Sequence, residues 1–153
     1  MNPYRKALIK TNILSDEEFA KRWLAVKYKS KQGYDDFQEL YTEQGERVRS
    51  KSEKIIADKL YHMGIPYRYE YPLVLQDNIK LYPDFTILKM PEREEVYLEH
   101  FGMMDDPDYV SNVMRKLNTY EKNGIYIGVN LFITYESVKY PLNTKWLDGL
   151  LKQ

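Results

Sequence analysis

Leu81-Tyr82-Pro83-Asp84-Phe85-Thr86-Ile87-Leu88 and, a few residues on, Val96-Tyr97-Leu98-Glu99-His100-Phe101 are the two stretches on which the fold turns. Each is rich in β-branched and aromatic residues and reads as a strand, yet each carries one carboxylate among apolar neighbours. An unpaired carboxylate in such a place costs several kcal/mol to bury, so Asp84 and Glu99 require a compensating partner. A divalent cation held between them is the sharpest candidate.

Working outward, Asp77-Asn78 marks a turn, and the run before it, 67–75, reads as a strand that precedes 79–88 and 95–101 in a three-strand meander. A helix over 50–64 precedes the meander. Ser50 with Glu53 makes a capping box, Ile56, Leu60 and Met63 form an apolar stripe, and Gly64 is a natural stop. Beyond Gly102 the period changes. Asp106-Pro107 starts a helix, Val110, Val113, Leu117 and Tyr120 recur at helical spacing, and Asn123-Gly124-Ile125 ends it. A fourth strand over 130–136 and a short closing helix over 143–151 complete the chain.

Residues 1–46 read as an N-terminal helical extension and 47–153 as the main domain. In the extension, Ser15-Asp16-Glu17-Glu18 resembles a capping box ahead of Phe19 and Trp23, a second helix is predicted over 35–41, and 29–33 has linker composition. No repeat or low-complexity segment interrupts the chain.

The order helix, three strands, helix, strand, with Pro83-Asp84 on the second strand and Glu99 fifteen residues later on the third, resembles the PD-(D/E)XK nuclease superfamily over roughly residues 50–136. The resemblance implies an α/β, restriction-endonuclease-like core. It also implies a metal-dependent nuclease in which Asp84, Glu99 and the main-chain carbonyl of His100 bind Mg2+ or Mn2+, with water at the remaining positions. The family's lysine, two residues after the glutamate, is replaced here by Phe101. His100 is no automatic substitute, because alternate strand side chains face opposite ways.

Lys116 offers a replacement. It lies on the helix of 106–123 at i+3 from Val113 and i−4 from Tyr120, beside the stripe that must pack on the sheet. It either reaches over the site or snorkels from the edge of a core-facing helix. Glu53 has two readings as well, as an acidic residue near the metal or as the capping-box partner of Ser50. Glu70 is a weaker site candidate. His62 reads as a surface or packing histidine.

Twenty-three basic residues balance 23 acidic ones in 153, so any polyanion binding must be local. The best patch is Arg47-Val48-Arg49-Ser50-Lys51-Ser52-Glu53-Lys54, which reads equally as a solvated surface or as a contact for the phosphodiester backbone through Arg47, Arg49, Lys51 and Lys54. Tyr120 joins this set as a candidate DNA contact. Of the 15 tyrosines, Tyr67, Tyr69 and Tyr71 alternate along one strand and either fill the core or stack on bases.

Absence of cysteine removes disulfide scaffolds, thiolate metal sites and thiol nucleophiles, and two histidines make a structural zinc site a poor fit. No run approaches the roughly 20 apolar residues of a membrane span, so the expectation is a cytoplasmic protein. No glycine-rich phosphate loop or nucleophile elbow is present. The expected activity is Mg-dependent hydrolysis of DNA, as a homodimer or with a further domain or subunit. The alternative is a nuclease fold without turnover that binds nucleic acid or serves in assembly.

Overall fold

Side-chain caps open every α-helix among the residues that the computed structural model describes, 14–33 and 38–152. In α1 (Asp16–Leu24), Ser15 Oγ accepts from the Glu18 N–H at 3.1 Å, and in α2 (Lys51–His62), Ser50 Oγ accepts from the Glu53 N–H at 3.2 Å. In α3 (Pro107–Lys122), Asp106 Oδ1 accepts from the Asp108 N–H at 2.9 Å with proline in the first turn. In α4 (Thr144–Leu151), Asn143 Oδ1 accepts from Lys145 and Trp146. Each such cap stabilises its helix by about 1 kcal/mol.

Two of these helices stop at glycine. Gly64 (φ 68°) and Gly124 (φ 77°) take the left-handed conformation that glycine adopts without a Cβ penalty. The next residue then bonds back: Ile65 N–H donates to the Leu60 carbonyl and Ile125 N–H to that of Tyr120, each at 3.0 Å.

The strands are β1 (Leu40–Tyr41), β2 (Arg47–Val48), β3 (Tyr67–Tyr69), β4 (Leu73–Val74), β5 (Lys80–Leu81), β6 (Phe85–Lys89), β7 (Glu94–Phe101) and β8 (Leu131–Tyr135). A four-stranded mixed sheet has the order β3-β6-β7-β8, antiparallel except for β7-β8. The parallel step requires a crossover, which α3 supplies. β1 with β2 and β4 with β5 form separate two-stranded ribbons.

One face of the sheet buries Phe85, Ile87, Val96 and Leu98 against Ile56, Ala57 and Leu60 of α2 and Leu147 of α4. The other packs Tyr97, Leu131 and Ile133 with Leu117 and Tyr120 of α3. Full burial of such side chains stabilises by roughly 1.5–3 kcal/mol each. Tyr67 and Tyr69 are 0% and 2% exposed, so of their two readings the core one holds.

The sequence preceding α2 is tied to this core. Trp23 Nε1 donates to Glu95 at 2.9 Å, the Arg68 guanidinium stacks 4.0 Å over the Trp23 ring, and the Tyr28 hydroxyl donates to the Tyr69 carbonyl at 2.8 Å. Pairing of β1 with β2 crosses position 46/47, where the extension was expected to end, and Val48 lies in the core with Leu40 packed on it.

Three expectations need correction. Within 35–41, Leu40 and Tyr41 are strand rather than helix, because they pair with Arg47–Val48 across a turn at Gly45; 34–37 lie outside the described residues. The run 67–75 is not one strand, since Glu70 adopts φ 48° and ends β3. The run 79–88 divides before Asp84 into β5 and β6, so a β4-β5 ribbon interrupts the meander. Among the described residues no helix is long and apolar enough to cross a membrane.

Candidate functional site

Asp84 is the residue before β6, and the pairing of Phe85 with Leu98 carries it alongside Glu99. Main-chain bonds fix the two. The Asp84 N–H donates to Glu99 Oε1 at 2.7 Å, and the His100 N–H donates to Asp84 Oδ2 at 2.7 Å. A strand residue's N–H and C=O leave the same edge, so the His100 carbonyl also faces the Asp84 side. Behind Asp84, its own carbonyl accepts from the Glu70 N–H at 3.0 Å.

Lys116 comes down from α3 and pairs with Glu99 Oε2. Glu99 is fully buried while the Lys116 side chain is 29% exposed, so the lysine bridges the carboxylate to the surface. The structure thus places the Lys116 ammonium beside Glu99.

Glu53 approaches from α2. Its carboxylate accepts from the Tyr69 hydroxyl and, at 3.3 Å, from Ser50 Oγ. Ser50 thus caps α2 while the Glu53 side chain turns inward, where its charge acts on Asp84. Glu70, 2% exposed, is gripped by Arg49 through Nε–Oε1 at 2.6 Å and Nη2–Oε2 at 3.2 Å. That two-point grip holds a left-handed non-glycine residue whose backbone costs of order 1–3 kcal/mol.

Glu99 and Glu53 thus act by charge on Asp84, and Glu70 on Glu53, with Lys116 and Arg49 as the opposing cations. Burial, then repulsion from Glu99 and Glu53, pushes Asp84 well above the usual carboxylate range despite Lys116. Burial also raises Glu99, against the opposing pull of Lys116. For Lys116, burial disfavours the ammonium, but Glu99 and Asp84 outweigh it and hold its proton more tightly than usual.

This donor set suits a hard cation. It is all oxygen and carries excess negative charge, and Mg2+ commonly takes one or two protein carboxylates and keeps its remaining waters. Asp84 and Glu99 with the His100 carbonyl are the ligands the sequence suggested; among the described residues no group of three or more His, Cys, Asp or Glu side chains is arranged to hold an ion.

The His100 ring leaves the site, as strand alternation requires. Its Nδ1 meets Thr134 Oγ1 and its Nε2 meets Glu136 Oε1, both at 2.7 Å. A catalytic role for that side chain, as a substitute for the missing lysine, does not fit this placement, and only the His100 main chain reaches Asp84. Tyr120 is corrected too. It is 0% exposed in the core beneath α3, so it offers DNA no surface.

The basic patch is divided. Arg49 turns inward to Glu70, Arg47 Nη2 donates to the Gln38 carbonyl at 3.2 Å, Lys54 pairs with Asp58 at 2.8 Å, and Lys51 is exposed on the first turn of α2. His62 pairs with Glu43 at 3.0 Å on the surface.

Sequence reasoning missed Tyr109, whose hydroxyl accepts from the Gly102 N–H at 3.0 Å and whose ionisation feels Asp84, Lys116 and Glu99. Its spacing of seven from Lys116 on one helix was the available signal. It also missed Lys31, whose charge lowers Glu99.

No family model matches the chain. Over 120 residues, 77% of its length, it is 33% identical to the uncharacterized protein MJ1519 of Methanocaldococcus jannaschii, of which it spans 9%. Among solved structures, a chain of the cryo-EM DrdV-DNA complex is similar with a TM-score of 0.43 and 19% identity, over 89% of this chain and 13% of that one. The chain thus spans a small fraction of either protein.

Proposed function

We propose that the chain is a metal-dependent nuclease domain that hydrolyses phosphodiester bonds of DNA at Asp84 and Glu99. One observation carries the reading: two carboxylates on adjacent strands, locked by main-chain hydrogen bonds, meet a lysine delivered from a helix. It supports the resemblance where the sequence departs from it, at Phe101.

Asp84, Glu99 and the His100 carbonyl would hold Mg2+ or Mn2+. When bound, such an ion polarises a phosphate oxygen and lowers the pKa of a bound water. Lys116 pulls Glu99 toward its ionised form against burial and orients it, and its ammonium is placed to offset charge on the attacked phosphate. Glu53 adds negative charge that raises the affinity of Asp84 for positive charge, proton and cation alike. Water oxygen bonds to phosphorus as the bond to the 3' oxygen breaks, leaving the 5'-phosphate and 3'-hydroxyl that the resemblance implies.

DNA is the proposed partner, and cutting both strands would call for a second copy or a further subunit. Incubation of the purified protein with linear, circular and single-stranded DNA, in Mg2+, Mn2+ and chelator, tests the reading. Cleavage that needs metal and is lost in Asp84→Asn supports it. Binding without cleavage under every condition would favour a module that holds nucleic acid without turnover.

A further inference from the structure

Beyond the carboxylates, at the C-terminal end of β8, the surface opens into a cavity of about 630 Å3 lined by Met104, Tyr135, Tyr140, Pro141, Asn143 and Trp146. Its rings are unusually open for their size: Tyr135 is 57% exposed, Tyr140 68% and Trp146 43%. Tyr135 and Trp146 pack with centroids 5.9 Å apart at 57°, so they form a supported, tilted shelf.

This shelf adjoins the candidate site. Parallel pairing sets Phe101 opposite Tyr135 and Glu99 opposite Ile133, so Tyr135 projects from the same face as Glu99. Two residues along and one strand across amounts to roughly 8 Å between Cα atoms by ordinary sheet spacing. The cavity's carboxylate, Glu136, is engaged by His100, Ser52 and the Leu142 N–H. Cations stand at the rim: Lys139 Nζ lies 5.6 Å from the Tyr140 ring centroid, and exposed Lys145 sits in the first turn of α4.

We propose that this shelf stacks an unpaired nucleobase of the strand whose phosphate is attacked at the Asp84–Glu99 site, a proposal that rests on the nuclease reading. Open aromatic faces flanked by cations match a base with its phosphate, and stacking of this kind tolerates any base. Asn143 and Ser137 place polar groups at the edge of the cavity. The substrate class that follows is DNA with single-stranded character next to the cleaved bond: a flap, a frayed end or a gap.

Trp146 gives a direct readout, because the other tryptophan, Trp23, is buried. A short thymidine oligomer and a blunt duplex are titrated, in chelator, into the wild-type protein and the Tyr140→Ala variant. The oligomer should quench tryptophan fluorescence far more than the duplex, and Tyr140→Ala should weaken oligomer binding roughly five- to hundred-fold, as loss of one stacking ring does. Equal quenching by oligomer and duplex, or oligomer affinity unchanged in Tyr140→Ala, overturns the proposal even if the protein cleaves DNA. Quenching by the oligomer without cleavage of any DNA would overturn the catalytic reading and leave the shelf as a binding site.

Discussion

Asp84 and Glu99 are joined through the main chain: the Asp84 N–H donates to Glu99 Oε1 at 2.7 Å, so neither carboxylate moves without the other's strand. The β6-β7 register brings their backbones side by side, and the two main-chain donors hold the side-chain oxygens in place. That rigidity keeps two like charges close, and the protein balances them with Lys116 on the far oxygen of Glu99.

Breaking that balance should be costly. Lys116→Ala leaves a fully buried carboxylate without its counter-ion, and loss of one partner of a buried pair destabilises by about 3–5 kcal/mol. Partial exposure of the lysine places the expected loss near 2–3 kcal/mol, read from urea unfolding in chelator. Lys116→Met should lose cleavage to the same extent while losing less metal affinity than Asp84→Asn does. Wild-type cleavage in Lys116→Met would remove the lysine from the mechanism.

Removing a carboxylate should do the reverse to the metal-free protein. Asp84→Asn keeps an oxygen for the His100 N–H yet ends the repulsion with Glu99, so its thermal midpoint in chelator should equal or exceed that of wild type. In Mg2+ the order should invert, since only the wild type gains binding energy from the ion. An Asp84→Asn midpoint lower than wild type in chelator would mean that the two carboxylates do not strain the fold.

Arg49 and Lys51 should separate in their effects. Arg49→Ala exposes the buried, left-handed Glu70 to an unpaired charge and should lower stability by about 2–4 kcal/mol. Lys51→Ala should leave stability within about 0.5 kcal/mol and reduce the salt slope of DNA binding by about 1. An unchanged slope in Lys51→Ala would make the α2 N-terminus ordinary surface.

Alkaline stability should report how residues 14–33 are attached. Burial holds the Tyr28 phenol neutral up to about 12, above its ordinary 10, while its hydroxyl donates to the Tyr69 carbonyl. A raised pKa in the fold means that this contribution is whole below pH 10 and is lost as pH rises toward 12. Urea midpoints should fall across that window, and Tyr28→Phe should flatten the fall. The same pH dependence in Tyr28→Phe would assign it to the buried core tyrosines.

Much of this architecture was legible because its signals are local. Ser50, Asp106-Pro107, Gly64 and Gly124 mark helix ends through bonds that span two to five positions. Lys116 was legible for a related reason, since helical spacing fixes the face it shares with Val113. The β4-β5 ribbon was hidden because nothing local reveals that Glu70 turns left-handed; that conformation depends on Arg49, 21 residues away in sequence. Leu40–Tyr41 were misread for the same cause, as a two-residue strand exists only through its partner. Tyr120 was placed on the correct helix face, but the depth of that face in the core follows from β7 and β8 rather than from the helix itself.

The central claim is that Asp84 and Glu99 form one cation site. Calorimetric titration of Mn2+ into the wild-type protein, Asp84→Asn and Glu99→Gln tests it most directly: binding in the wild type and loss in both variants, with folded spectra in all three, is the predicted result. Equal Mn2+ affinity in all three proteins would contradict it.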